Sequence, residues 1–240
     1  MSDLIGTSRE GAVATITINR PGEGNVLTIP MLRDLSGALR SAGASDAKVI
    51  VVRSIGSEFC LGRDGAGAPP SPTALKMRTN VLEPILDAYG ALADAPQPVV
   101  AVVQGAAHGF GCAMAGACDI TIAADRARFK LPEMEKNLPP TLAISALMAR
   151  VPRKALTWLV YAIEEIDAQT ALQLGIVSQV VPAAQLDSAV AKLLATMTSR
   201  SADALVAVKD FFRTAPLMEP RGVSAYAGTL LASVLTSAGG

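Results

Sequence analysis

Histidine, cysteine and aromatic residues are scarce in this 240-residue chain, which has one histidine, three cysteines and 4% aromatic residues. A single histidine excludes any site built from several histidine ligands, and no group of His, Cys, Asp and Glu has the spacing of metal ligands, so no metal is expected. An odd number of cysteines without CxxC spacing argues against a disulfide framework. We therefore expect Cys60, Cys112 and Cys118 to be reduced thiols in the core.

Net charge and long hydrophobic runs are also absent. Lys plus Arg and Asp plus Glu each number 21, so there is no basic excess to attract nucleic acid or an anionic membrane. No uncharged apolar run has the length of a membrane span, and the N-terminus lacks the apolar segment of a signal peptide. Half of the residues are apolar, enough for one large domain or a core with a small appendage. The composition predicts a soluble cytoplasmic protein.

The most informative stretch is 98–119. Val99 to Val103 form an uncharged β-branched run, which predicts a buried strand. Gly105, Gly109 and Gly111 follow, and then small residues that suit a tightly packed helix. A helix that begins in such a turn points unpaired N–H groups at an anion, or at an oxygen that becomes negative during a reaction. A turn that only lets the strand and the helix pack closely fits the stretch equally well.

Two common glycine motifs do not fit this turn. A dinucleotide-binding fingerprint needs a small residue where Met114 stands, and it opens the first βαβ unit of a chain. A nucleophile elbow needs one residue between its first glycine and the nucleophile, but Gly111 directly precedes Cys112. Any chemistry at this turn is therefore expected to use the backbone.

A second turn, Gly62-Arg63-Asp64, follows a buried strand in the same way. Two such turns on neighbouring strands can direct two N–H groups at one oxygen, which is what an oxyanion hole requires. Glu133 follows an extended segment, and a carboxylate held near apolar walls has a raised pKa and can move protons. An exposed surface glutamate is the alternative. His108 borders the first turn and either packs there or contacts a substrate.

Periodicity indicates alternating strands and helices in the first 140 residues and mainly helices after that. Strands are predicted at 12–18, 48–53, 99–103, 120–124 and 176–181. Helices are predicted from Thr28 onward, and at 74–95, 141–149, 153–161, 168–174, 185–199, 202–213 and 222–236. We expect a core over residues 1–185 and a helical region over 186–240 that serves oligomerisation.

Five segments together resemble the enoyl-CoA hydratase/isomerase (crotonase) superfamily. They stand in the family's order and with its spacing between about residues 10 and 215. The segments are Asn19-Arg20-Pro21 with Asn25-Val26-Leu27 (N-R-P…N-A-L), Phe59 to Asp64 (F-x-A-G-x-D), Gly105 to Asp119 (G-x-x-x-G-G-G-x-E…C-D), Phe129 to Glu133 (F-x-x-P-E) and Ala168 to Val181 (A-x-x-x-G-L-V-x-x-V-V).

The resemblance implies an α/β fold of the ClpP/crotonase type, a spiral of ββα units with a helical C-terminal region, assembled as homotrimers or homohexamers. It implies a coenzyme A thioester as substrate, with no permanently bound cofactor. The thioester oxygen is held by the backbone N–H groups at the positions of Arg63 and Phe110, with Glu133 as the acid/base. The implied substrate contacts are Val26, Leu61, Gly62, Asp64, His108, Gly109, Ala113 and Lys209. A solvated helix lysine is an equally good interpretation of Lys209.

The sequence departs from the family at its catalytic carboxylates. Hydratases of the family are similar in using two glutamates, but the first of these positions is Ala113 here, and only Glu133 remains. One carboxylate can still shuttle a proton between two carbons, so the resemblance favours double-bond isomerisation. Hydration is an alternative, and so is a degenerate protein that binds acyl-CoA without turning it over. Two residues favour this last alternative. Asn137 stands where the family usually has a glycine, and Phe110 is bulky.

Overall fold

The computed structural model describes residues 4–64 and 69–237. Its strands are β1 (Ile5–Glu10), β2 (Val13–Ile18), β3 (Val49–Ser54), β4 (Val99–Val103), β5 (Ala107–His108), β6 (Ile120–Ala124), β7 (Arg128–Lys130), β8 (Ile166–Asp167) and β9 (Gln179–Val181). Its α-helices are α1 (Ile29–Gly43), α2 (Ala74–Met77), α3 (Glu83–Asp94), α4 (Phe110–Ala117), α5 (Thr141–Leu147), α6 (Arg153–Ala162), α7 (Ala168–Gln173), α8 (Leu186–Thr198), α9 (Ala202–Thr214) and α10 (Pro220–Ser237).

The strands form two sheets. The larger has the order β1-β2-β3-β4-β6-β9, and the smaller has the order β5-β7-β8. Only the β1–β2 and β7–β8 pairs are antiparallel among the described strands; the other neighbours are parallel. In the larger sheet, each helical crossover returns the chain to a parallel neighbour, which gives the expected α/β spiral.

The central strand β4 is buried on both faces, as its uniformly apolar sequence predicts. Val99, Ala101 and Val103 belong to the core that α1, α3 and α4 cover. Val100 and Val102 belong to a second cluster, which includes residues of α8. The carboxyl end of β4 is therefore fixed between two packed layers, and the next residues form the first glycine-rich turn.

The predicted helix at 74–95 is interrupted in the structure. Residues Arg78–Leu82 form a π-helical turn between α2 and α3. Leu75 is 73% exposed, so it does not belong to the buried face that the periodicity suggested. A π turn shifts the backbone bonding by one residue and rotates the side chains that precede it.

The cysteine prediction is confirmed, because Cys60, Cys112 and Cys118 are all buried and free. Burial raises the pKa of each thiol to about 12, so none is a ready nucleophile at neutral pH. In the part of the chain that the structure describes, no helix is both long and apolar enough to cross a membrane.

Candidate active site

The strand, turn and helix predicted in the central stretch are present. Gly109 precedes α4 with φ +52° and ψ −115°, and the first helical bond runs from the N–H of Ala113 to the carbonyl of Gly109 at 3.0 Å. The N–H groups of Phe110, Gly111 and Cys112 precede this first helical donor and therefore have no acceptor within the helix. All eight residues of α4 are buried, so these donors lie where charge is poorly screened.

The two glycine turns lie against each other. Cys60 pairs with Ala107 in an isolated β-bridge, and the N–H of His108 donates to the carbonyl of Cys60 at 2.9 Å. A Cβ atom at Gly111 would overlap that same carbonyl. Glycine at this position therefore allows the start of α4 to lie against the second turn.

Arg63 presents its backbone to the same region. Leu27 donates to the carbonyl of Gly62 at 3.0 Å, and Asp64 donates to the carbonyl of Leu27 at 3.1 Å. In this parallel bridge the N–H of Arg63 points away from Leu27. Gly62 has φ +118°, and a Cβ atom there would lie 3.5 Å from the carbonyl oxygen of His108. The predicted backbone donors, Arg63 and Phe110, thus lie on two adjoining turns.

Glu133 lies beside the first turn. Its Oε1 is 3.1 Å from the place that a Cβ atom of Gly109 would occupy. Its Oε2 is buried and has no hydrogen-bond partner among the described residues. Burial raises the pKa of the Glu133 carboxyl, while its own backbone N–H and the positive charge of Arg63 act in the opposite direction. A buried carboxylate with a free oxygen is suited to proton transfer.

The side chain of Phe110 fills space next to the donors. Its ring stacks on Tyr89, with centroids 5.1 Å apart and planes 15° from parallel. Phe110 is 4% exposed and Tyr89 7% exposed. Tyr89 comes from α3 and was not foreseen from the sequence, since no short-range spacing relates it to the turn.

A family model described as enoyl-CoA hydratase/isomerase matches residues 8–232. The chain belongs to the enoyl-CoA hydratase/isomerase family. Among its relatives, the rat enoyl-CoA hydratase domain-containing protein 3, mitochondrial, is 32% identical over 206 residues, which are 84% of this chain and 68% of the rat protein. The probable enoyl-CoA hydratase echA6 of Mycobacterium tuberculosis is 28% identical over 178 residues, 74% of this chain and 70% of that protein.

Solved structures of the family confirm the crotonase fold. An enoyl-CoA hydratase from Mycobacterium smegmatis has a TM-score of 0.91 at 27% identity, covering 98% of this chain and 91% of its own. The human enoyl-CoA hydratase domain-containing protein 3 has a TM-score of 0.88 at 25% identity, covering 97% and 92%. The rat relative is named as mitochondrial; the cytoplasmic location expected for this chain stays a prediction.

Two departures from the family pattern have clear structural settings. Ala113, at the position of the family's first glutamate, is fully buried in α4. Its methyl group replaces the carboxylate, and α4 carries no other carboxylate. Asn137 has φ +53° and ψ +29°, the left-handed conformation that asparagine adopts more readily than most residues. Asn137 therefore preserves the turn that a glycine would make.

Asn25 and Arg20, from the first of the five segments, pack against the second turn. The side chain of Asn25 is buried and donates to the carbonyls of Ile55 at 2.8 Å and Glu58 at 2.7 Å. Arg20 donates to the carbonyl of Val26 at 2.8 Å and lies 3.3 Å from the Asp64 carboxylate. Val26 and Asp64 thus belong to the wall of the second turn. Leu61, also on this wall, is 39% exposed and covers Gly24.

Lys209 is not brought to the site. It is 7% exposed, and its Nζ lies 2.8 Å from Oδ2 of Asp119. The same Nζ donates to the carbonyls of Leu92 and Gln97, each at 3.1 Å. Asp119 Oδ2 also accepts from the N–H of Val99, the first residue of β4, whereas the turn follows the other end of that strand. With its three donors engaged in the protein, Lys209 is neither a solvated lysine nor placed to hold a coenzyme phosphate.

Proposed function

We propose that this chain acts on an acyl-CoA thioester, with the thioester oxygen accepting hydrogen bonds from the N–H groups of Arg63 and Phe110. The observation that carries the proposal is the buried Oε2 of Glu133, unpartnered among the described residues, beside Gly109 at the start of α4. The relatives' names support this substrate class. The chemistry needs no bound cofactor beyond the coenzyme that the substrate carries.

The reaction that this arrangement favours is migration of a double bond. Glu133 removes a proton from C2 of a 3-enoyl thioester, and the two N–H groups stabilise the oxygen of the resulting enolate. A proton returned at C4 leaves the conjugated 2-enoyl thioester. Hydration requires a second group to activate or protonate water, and the position that supplies it in the family's hydratases is Ala113.

Turnover of two substrate sets tests this proposal. The 3-enoyl-CoA set reports double-bond migration and the 2-enoyl-CoA set reports hydration, with wild type, Glu133→Gln and the control Glu135→Gln run side by side. Glu135 is exposed on the same short helical turn as Glu133. Migration without hydration, lost only in Glu133→Gln, is the expected result. Full activity of Glu133→Gln on either set would refute the proposed role of Glu133.

A protein that binds acyl-CoA without turnover is the second candidate. The observation that favours it is the Phe110 ring packed on Tyr89, which occupies space beside the donors. Calorimetric binding of a 3-enoyl-CoA with one site per chain, together with no turnover of either substrate set, would establish this candidate.

We also propose that the helical C-terminal region, residues 186–240, mediates assembly into homotrimers or homohexamers. Large apolar side chains of its described part are more than half exposed, namely Val208, Phe212, Leu217, Leu231 and Leu235, as expected of an interface. Light scattering at a trimer or hexamer mass supports this, and a monomer mass contradicts it. Cell fractionation tests the cytoplasmic location.

A further inference from the structure

His108 and Glu165 form a close pair at the edge of the candidate site. The Nε2 atom of His108 lies 2.9 Å from Oε2 of Glu165. A carboxylate only accepts hydrogen bonds, so a hydrogen bond between the two groups requires a proton on Nε2. Nε2 is buried, and the Glu165 carboxylate does not lie in the direction of an aligned hydrogen bond from it. Catalytic hydrogen bonds are often poorly aligned until substrate binds.

The backbone places this pair next to Glu133. His108 ends β5 and immediately precedes Gly109, against which the Glu133 carboxylate lies. Adjacent Cα atoms are about 3.8 Å apart, so the imidazole is attached one residue from the backbone that Glu133 faces. The side chain of His108 is 21% exposed, which leaves it access to solvent protons.

Glu165 reaches His108 through an unusual backbone conformation. Ile163, directly after α6, has φ +56° and ψ +20°, which is strained for a β-branched residue. Strain of this kind persists when the surrounding structure enforces it, and it is concentrated at functional sites. Ile166 then pairs with Phe129 of β7. The strained turn thus delivers the Glu165 carboxylate across the small sheet to His108.

The charged residue that is in register with His108 is already engaged. Lys130 is the register partner of His108, and its Nζ lies 2.6 Å from Oε1 of Glu135. Nδ1 of His108 has no hydrogen bond to any of the described residues. An imidazole with a carboxylate 2.9 Å from one nitrogen and with the other nitrogen open can become an oriented acid/base once that contact aligns.

We propose that His108, oriented by Glu165, is a second proton-handling group of this site and supplies the proton that the missing glutamate at Ala113 does not. This inference rests on the proposed function. In double-bond migration, Glu133 takes the C2 proton, the C2–H electron pair forms the C2=C3 bond, and the C3=C4 pair takes a proton from the His108 imidazolium. His108 then regains a proton from water and Glu133 loses one to water, so the reaction balances.

The fate of a deuterium label at C2 tests this assignment. If Glu133 alone carries the proton, a fraction of the label moves from C2 to C4 within one turnover. If His108 supplies the C4 proton, the C4 hydrogen comes from solvent. We therefore expect little transfer in wild type, and in His108→Gln a clear rise in the transferred fraction together with a fall in kcat of at least about 100-fold.

The variants separate proton handling from positioning. His108→Gln keeps an N–H near Nε2 for Glu165 but cannot donate as an acid, whereas Glu165→Gln removes the orienting charge. Glu164→Gln is the matched control, since Glu164 is adjacent to Glu165 in the same exposed loop. Wild-type transfer and kcat in His108→Gln, with circular dichroism showing a folded protein, overturn the inference while leaving the proposed function intact. Absence of turnover in wild type instead refutes the proposed function on which the inference depends.

Discussion

The carboxylate of Glu133 lies against Gly109, with Oε1 3.1 Å from the place that a Cβ atom would take. Gly109 also has φ +52°, a conformation that costs an L-residue about 1–3 kcal/mol. We expect Gly109→Ala to lower the free energy of unfolding by that amount and to lower kcat by displacing the carboxylate.

Denaturant unfolding and steady-state kinetics measure the two effects of Gly109→Ala. Gly37→Ala is the control, because Gly37 lies in α1 and a methyl group added there would have nothing within 4 Å. Alanine favours a helix at such a position by up to about 1 kcal/mol. Equal kinetics of wild type and Gly109→Ala would contradict the placement of Glu133.

The side chain of Arg63 is expected to shift the pH dependence of the activity. Its positive charge lowers the pKa of the Glu133 carboxyl, although burial keeps that pKa above the ordinary value. Arg63→Met keeps the backbone N–H and removes the charge, so the pKa rises further. Because Glu133 must be ionised to act as a base, the acid limb of the kcat/KM profile should move to higher pH.

A pH–rate profile of Arg63→Met checks this shift. Arg33→Met serves as the control, since Arg33 is exposed on α1. An acid limb that stays in place or moves to lower pH would show that Glu133 is not the titrating base.

Phe110 is expected to limit the size of the acyl group. Phe110→Ala removes the ring that stacks on Tyr89 but retains the backbone donor. Loss of a buried phenyl ring costs about 3–5 kcal/mol of stability. At a temperature where the variant stays folded, we expect kcat/KM for longer or branched acyl chains to rise relative to short ones. An unchanged ratio between chain lengths would place the acyl group elsewhere.

Lys209 is expected to stabilise the fold without contacting substrate. Lys209→Met removes the 2.8 Å partner of the Asp119 carboxylate, which keeps Arg150 at 3.1 Å. It also leaves the buried carbonyls of Leu92 and Gln97 without their donor. Leaving buried acceptors unsatisfied in this way costs about 1–3 kcal/mol. The free energy of unfolding should fall by that amount, with little change in KM for acyl-CoA while the protein is folded. Lys192→Met, on α8, is the control. A large rise in KM without a loss of stability would restore the phosphate-binding interpretation.

Much of the fold could be predicted because its strands have distinctive sequences. The uniform run Val99–Val103 and the turn before Phe110 identify β4 and α4 directly. The strand β1 was missed because its residues Gly6 to Glu10 are mostly polar and partly or fully exposed at the edge of the sheet. Edge strands lack the apolar alternation that reveals internal ones.

Residues of the candidate site could be proposed from sequence where one local segment contains them, and less easily where distant segments meet. The turns with Arg63 and Phe110 have local glycine patterns. Tyr89 and Glu165 come from other elements, and nothing in their own sequence surroundings points to Phe110 or His108. Lys209 was assigned to the wrong setting because a lysine in an amphipathic helix does not show from sequence that it enters the core.

Hydrogen exchange at C2 of a saturated acyl-CoA in D2O tests the central claim most directly, because it needs enolate formation alone and neither migration nor hydration. Deuterium uptake is followed by mass spectrometry for wild type, Glu133→Gln and the control Glu135→Gln. We predict exchange by wild type and by the control, and a loss of at least about 100-fold in Glu133→Gln. Exchange at the wild-type rate in Glu133→Gln would show that Glu133 does not remove the C2 proton.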